Sequence, residues 1–246
     1  MSSRQRLRGV IAAPVVGLFA ALLGWGLSGA PSFGAFHGAY GDLLNSIAVP
    51  QRHTTNVVTA IVFDYRGFDT MGEEFILFAS VVGVVLLLRE EREPSGDQDD
   101  PVASDAIRLF GVFMVGTVLV AGLWLAAFGL VTPGGGFQGG VVIAGGIVLV
   151  FLAAGYRPWT AFGREHLLDP FEGGGAASYV ALGLAALVAG APFLHNLLGS
   201  GASGTLRSGG SMSLLNWAVA IEVAAANLVL YTEFLESYLV PHLDGR

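Results

Sequence analysis

Five ionisable residues, Asp64, Arg66, Asp69, Glu73 and Glu74, fall within the apolar segment Asn56 to Glu74, NVVTAIVFDYRGFDTMGEE. Upstream lies the short apolar run Val57 to Phe63; downstream lies Phe75 to Leu88, uncharged and 14 residues long. A helix rises about 1.5 Å per residue and needs roughly 20 residues to cross a hydrocarbon core of about 30 Å. Neither run spans alone, so the spacing places these charges at membrane depth, where an ionisable group is costly and marks function by default. Asp69 and Glu73, four residues apart, share a face if helical. Arg66 is the one cation in the segment near enough to neutralise a neighbouring acid, and Gly67 and Gly72 permit a backbone break. Partly desolvated acids beside an arginine have altered proton affinity, which a proton or cation relay requires. The alternative is a polar loop just outside the bilayer, with Glu73 and Glu74 supporting the N-terminus of the next helix.

Glu222 lies in the middle of NWAVAIEVAAANLVLY, which carries no lysine or arginine. At that depth it must face protein or water and be protonated or paired; a proton site and a structural contact both fit. Asn216 and Asn227 are candidates for interhelical hydrogen bonds, whereas Glu233 and Glu236 are expected to be solvated near the interface. His195, after Pro192 and beside Asn196, reads as a helix-end contact, with titration near neutral pH as the alternative. His37, His53, His166 and His242 fall in expected loops. No histidine pairs with acids at metal-ligand spacing, and no nucleophile–base motif occurs, so no metal, cofactor or catalytic residue is expected. In TPGGGFQGG, Pro133 ends one helix, Gly134, Gly135 and Gly136 turn sharply, and Phe137, Gly139 and Gly140 open the next with small residues. Such spacing lets helices approach closely in lipid, so packing is favoured over a ligand site; the lysine of a phosphate loop is missing.

The elements that must position these groups are membrane helices. Of 246 residues, 53% are hydrophobic and 13% charged, with no cysteine, which excludes disulfides and thiolate clusters. The basic charge is entirely arginine, too sparse and dispersed for a nucleic-acid surface. Spans are predicted over about 9–27, 73–88 (if extended backwards), 106–131, 137–155, 176–198 and 214–240, with a short helix over 51–66. The fold class is therefore an all-α integral membrane protein of six or seven helices, one of them short or re-entrant. The first run is longer than a signal-peptide core and reads as an uncleaved helix. Segment 89–105, with seven acids and two arginines, reads as a linker between an N-terminal module (1–88) and a C-terminal four-helix module (106–246). If 51–66 does not cross, nine of the twelve arginines fall on one side, leaving Arg52, Arg66 and Arg207 opposite. The positive-inside rule then favours cytoplasmic termini.

NVVTAIVFDYRGFDTMGEEFILF resembles a segment shared by two proteins of membrane complexes. One is the C-terminal end of the large subunit of Mrp-type multisubunit Na⁺/H⁺ antiporters; the other is the corresponding small subunit of membrane-bound hydrogenases. The run from Phe110 through TPGGGFQGGVVIAGGIVLVF to the last helix resembles the MnhB (MrpB) family of antiporter subunits. Together the two cover most of the chain. The resemblance implies a non-enzymatic subunit of a cell-membrane complex, with other subunits, lipid, Na⁺ and H⁺ as its partners. It makes the Asp64–Glu74 segment a candidate part of the ion path and Pro133–Gly140 a signature with a packing role. Glu222 and His195 join the ion-path candidates on physical grounds alone. The alternative is a structural subunit of a membrane-bound hydrogenase or complex-I-like pump. The long 89–105 linker and the Arg157–Gly175 loop exceed what a minimal MnhB-type protein needs.

Overall fold

The computed structural model describes residues 3–30, 34, 38–89, 104–159, 161 and 165–239. The expected linker, apart from its ends, lies outside these residues, as do Arg164, His37 and His242. The chain forms two compact units, 1–42 and 43–246. The first holds helix α1 (Ser3–Ser28), which runs through Pro14 over the first apolar stretch. Helix α2 (Ala39–Arg52) begins at the end of that unit and continues into the second.

The second unit is a helical bundle. Helix α3 is a single turn (Val57–Ala60), continued by a π-helical turn, Ile61–Tyr65. Then follow α4 (Gly67–Arg89), α5 (Asp105–Ala127), α6 (Gly136–Ala154), the short α7 (Tyr156–Trp159), α8 (Glu165–Val188) and α9 (Ser211–Phe234), which ends in a second π turn, Leu235–Leu239. Among the described residues, five helices are long and apolar enough to cross a membrane: α4, α5, α6, α8 and α9. The protein is an all-α, multi-pass membrane protein.

Glycine contacts fix the directions of these helices. A Cβ at Gly122 would meet Ile143 and Gly139, and one at Gly146 would meet Leu119, so α5 and α6 are antiparallel. Gly136 abuts Asn216, and Gly140 approaches Ala220, Val223 and Ala224; α6 and α9 are therefore parallel. Gly175 of α8 touches Ala218 and Glu222, while Leu168 shares a cluster with Val229, so α8 runs against α9. Helix α4 packs along α9 in the same direction, from Met71 and Leu77 near Val219 to Val81 and Val85 near Val229. One end of the bundle, called upper here, thus carries the 128–135 and 189–210 turns. The lower end carries the C-termini of α4, α6 and α9.

Segment 53–66 sits entirely at the upper end. Thr54 and Asn56 bond to the α5–α6 turn at Leu130, Gly129 and Thr132, and Asp64 lines a hollow with Pro192–Asn196 after α8. Both ends of the segment touch loops on one side, so it does not cross. The expected helix over 51–66 is not continuous: α2 stops at Arg52, His53 adopts φ 54°, and the chain restarts at Val57 with Asn56 as N-cap. Helix α4 starts at Gly67, six residues before the expected 73, so Glu73 and Glu74 stand in its second turn rather than capping it.

Two other boundaries move. Helix α8 occupies 165–188 instead of 176–198: Pro170 is tolerated within it, and Gly190 (φ 78°) with Pro192 terminates it. Helix α5 ends at Ala127, so Pro133 belongs to the turn and not to the helix end. The packing between α6 and α9 depends on an absent side chain. A Cβ on Gly140 would lie 2.8 Å from Ala220 O and 2.9 Å from Val223 Cβ, whereas one on Gly145 would meet nothing within 4 Å. Gly140→Val should therefore lower stability by about 1–3 kcal/mol and depress the thermal unfolding midpoint in detergent, while Gly145→Ala should leave it unchanged or higher. Equal midpoints for the two variants would show that α6 and α9 are not in contact.

Candidate functional site

The π turn is what separates the short upper segment from α4. Arg66 N–H donates to Ile61 O at 2.8 Å, an i→i−5 bond that inserts one extra residue into the helix. Thr70 Oγ1 donates to Val62 O at 2.6 Å and Tyr179 OH to Gly67 O at 2.8 Å, so side chains satisfy the carbonyls at the break. Irregular backbone at membrane depth needs such internal partners.

Around this break the charged groups divide into two sets. The outer set is paired: Asp64 accepts from Arg52 Nε at 2.6 Å, and Asp69 pairs with Arg66. Arg66 is therefore not the one available cation, because Arg52 neutralises Asp64 and lies 4.9 Å from the Tyr65 ring centroid. Arg52 and Asp64 share a hollow of about 200 Å³ with His195. His195 sits in the loop after α8, exposed, and not within a span.

The inner set is different. Glu74 is 2% exposed and Glu222 0%, and no hydrogen-bond donor reaches either carboxyl. The two carboxyls face one another within interaction reach where α4 packs on α9, at the junction of the upper core (Phe63, Tyr179, Met212) and the lower core (Val81, Val229). Two buried carboxylates with no cation between them cannot both be ionised, so the pair carries at most one negative charge.

A cavity of about 270 Å³ reaches Glu74 of this pair. It is lined by Thr59 and Phe63 of the broken segment, Thr70, Glu73 and Glu74 of α4, and Gly134–Gln138. The two segments singled out in the sequence thus meet on one hollow. Glu73, the acid expected to share a face with Asp69, lies on the exposed side of α4 and reaches the cavity from outside. A second hollow, about 420 Å³, shares Val58, Gly134 and Gln138 with the first and is lined by Thr55–Val57 and Val131–Pro133 of the upper end.

The glycine turn is a joint. Asn216 Oδ1 accepts from Gly136 N at 2.6 Å while its Nδ2 donates to Ala126 O at 2.8 Å, tying α9 to the end of α5 and the start of α6. Asn56 Nδ2 donates to Gly129 O at 2.7 Å and Thr132 O at 3.0 Å. Gly134 and Gly135 take φ near 150°, which favours glycine. Phe137 is half-exposed beside the cavity, whereas Gly139 and Gly140 are buried in helix contacts.

Sequence reasoning missed three participants. Arg52 and Asn56 fell in an expected helix and its apolar continuation. Glu172 fell in an expected loop yet is 5% exposed on α8, close to Glu222. Glu233, expected to be solvated, is 0% exposed.

Residues 106–229 match the family described as a domain related to the MnhB subunit of Na⁺/H⁺ antiporter. The chain belongs to this MnhB-related family. Residues 4–103 match a second family, MbhE, one of the subunits of MBH. The chain is 29% identical over 169 residues to an uncharacterized protein of Methanocaldococcus jannaschii, covering 62% of this chain and 64% of that one. It is 31% identical over 128 residues to a protein of Rhizobium meliloti named as a probable K⁺/H⁺ antiporter subunit, covering 42% of this chain and 13% of that protein. It thus spans less than two thirds of either relative.

Among solved structures, a chain of the membrane-bound sulfane sulfur reductase, an archaeal respiratory membrane complex, superposes with TM-score 0.70 at 27% identity, covering 93% of this chain and 98% of that one. A chain of the Mrp complex from Dietzia sp. superposes with TM-score 0.69 at 22% identity, covering 95% of this chain and 26% of that one, a likeness of fold. Both belong to complexes. In this MnhB-related chain the PGGGFQGG signature is thus a joint that also walls the cavity. Asn216→Ala should leave Gly136 N–H and Ala126 O unpaired, costing about 1–3 kcal/mol for each, and should lower the unfolding midpoint more than Asn227→Ala, whose Nδ2 bonds only within α9. Equal losses would remove Asn216 from its bridging role.

Proposed function

We propose that this chain is a non-catalytic membrane subunit of a multisubunit monovalent cation/proton antiporter, and that Glu74 and Glu222 carry its proton or cation. The observation that carries the reading is the donor-free buried pair at the end of a cavity opening from the upper end of the bundle. A purely structural contact gains nothing from two carboxyls face to face, since a well-packed apolar pair is as stable or more so. A transport site gains a group that alternates between proton and cation. The family membership supports the same reading, and the similarity to a probable K⁺/H⁺ antiporter protein leaves sodium and potassium both as substrates to be tested.

In this scheme Glu73, on the cavity's outer rim, receives ions from a partner protein of the complex. Asp64, Arg66, Asp69 and His195 flank the upper entrance with Arg52 and tune its charge. The lower end, which carries Arg108 at the start of α5, faces the cytoplasm, and so do the termini; the upper end keeps Arg52, Arg66 and Arg207. Residues 1–88 and 106–246 act as two modules joined by the acidic 89–105 linker. Lipid covers the apolar outer faces, and other subunits of the complex in the cell membrane cover Glu73.

A second reading, a structural subunit of a respiratory membrane complex, draws on the near-complete coverage of the sulfane sulfur reductase chain and on the MbhE match. Transport by the assembled complex in everted membrane vesicles separates the two. Addition of Na⁺ or K⁺ should collapse a preformed proton gradient with the unaltered chain. Glu74→Gln and Glu222→Gln should slow that collapse by roughly tenfold or more, with Glu73→Gln less affected and subunit content unchanged in all three. Full activity in both inner variants would leave the structural reading standing.

A further inference from the structure

The Glu74–Glu222 pair lies midway through the bundle, and the cavity that touches Glu74 is lined by the upper segment and the glycine turn. An ion path needs a continuation below. Glu222 stands 11 residues into α9 from Ser211, about 16 Å below the upper end. There α8 crosses α9 with Gly175 against Glu222, so close that a Cβ on Gly175 would lie 2.9 Å from Glu222 Cα and from Ala218 O. Glu172 is three residues earlier on α8, on the same face and one turn nearer the lower end. Its side chain is 5% exposed and lies within charge–charge reach of Glu222. Farther down, Leu168 meets Val229, and Glu233 is buried four residues beyond that contact.

Four carboxyl-bearing residues thus descend through one helix crossing: Glu74 on α4, Glu222 on α9, Glu172 on α8 and Glu233 on α9. The row is more than a cluster of acids, because Glu222 is wholly buried, aimed into it, and without a donor on either oxygen. We propose that Glu172 is the proton-carrying group below Glu222, linking the buried pair to the lower end of the bundle. The O–H bond of the Glu222 carboxyl breaks and one forms on the Glu172 carboxylate, directly or by way of an intervening water that gives up one proton as it takes another, so the proton moves down and the negative charge moves up. Gly175 is what permits the step, since any larger residue there would push α8, and Glu172 with it, away from α9. The inference rests on the transport reading above but names a residue that reading does not use.

The test uses the whole complex in proteoliposomes, with Glu172→Gln, Glu172→Asp and Glu222→Gln measured together and subunit composition checked in each. Glu172→Gln should reduce cation-driven proton movement about as much as Glu222→Gln, and Glu172→Asp, which keeps a titratable group, should retain clearly more than the glutamine variant. Glu172→Gln at the unaltered rate with Glu222→Gln impaired overturns the proposal while leaving the antiport reading intact. Equal impairment by Gln and Asp assigns Glu172 a structural role and also overturns it. If Glu222→Gln is normal as well, the antiport reading itself has failed. Should Glu172→Gln not assemble, the unaltered complex is treated with a lipid-soluble carbodiimide, which attacks protonated buried carboxyls. At a pH low enough to protonate Glu172, its modification in step with loss of transport supports the relay, and loss of transport with modification of Glu74 or Glu222 and none at Glu172 overturns it.

Discussion

The architecture depends on α9 being held in backbone contact from two sides. Gly136 and Gly140 of α6 press on Asn216 through Ala224, and Gly175 of α8 presses on Ala218 and Glu222. Between lipid-soluble helices there is no hydrophobic gain from association, so close packing and interhelical hydrogen bonds carry it. The consequence is burial: α9 is the most enclosed of the spanning helices, with 61% of its span buried against 11–33% in the others. Glu222 is wholly enclosed because the helix around it is. Enclosing a carboxyl is costly, and α4 presents a second carboxyl, Glu74, at that level, so the two can hold at most one negative charge between them.

The upper break follows from the same constraint. A continuous helix from Val57 to Arg89 would span too far and leave no route from the surface to Glu74. The π turn at Ile61–Tyr65 ends the upper segment, Tyr179 and Thr70 repair the backbone bonds it costs, and the displaced segment forms one wall of the cavity. The glycine turn forms the opposite wall. Its amide at Gly136 is already satisfied by Asn216, so the turn contributes shape, and the partial positive charge of the α6 N-terminus, in place of a free donor.

Much of this was legible in the sequence, and the reasons differ by element. The apolar runs of α5 and α6 are long and bounded by charge or glycine, so their positions emerge to within a few residues. Glu222 stands out because no cation shares its helix. By contrast, α8 begins in GREHLLDPFEGGG, where polar residues, a proline and three glycines all argue for a loop. The tertiary contact at Gly175 explains one of the three glycines, since a Cβ there would meet Ala218 and Glu222 of α9, whereas Gly173 and Gly174 touch nothing. Local composition cannot report a contact with a helix some 45 residues away, and Glu172 was lost with it. Glu73 and Glu74 are adjacent in sequence and opposite in environment; which of them faces inward is set by where α4 starts, and the π turn that decides it has no sequence signature.

The inner pair draws one carboxyl from each of the two family-matched parts of the chain. Glu74 lies in the part matching the MbhE family and Glu222 in the part matching the MnhB-related family. Neither part alone contains both carboxyls. A site composed across such a boundary works only when the two parts are present in equal number and docked in one register. A covalent link secures the first condition by raising the effective concentration of one part near the other. The α4–α9 contact secures the second, because Leu77 touches both the upper and the lower core and leaves α4 little freedom to slide. Were the two parts carried by separate chains, the same register would have to come from interface packing alone. The physical requirement would be identical: a carboxyl from each side, close enough to share one charge and too buried to hold two.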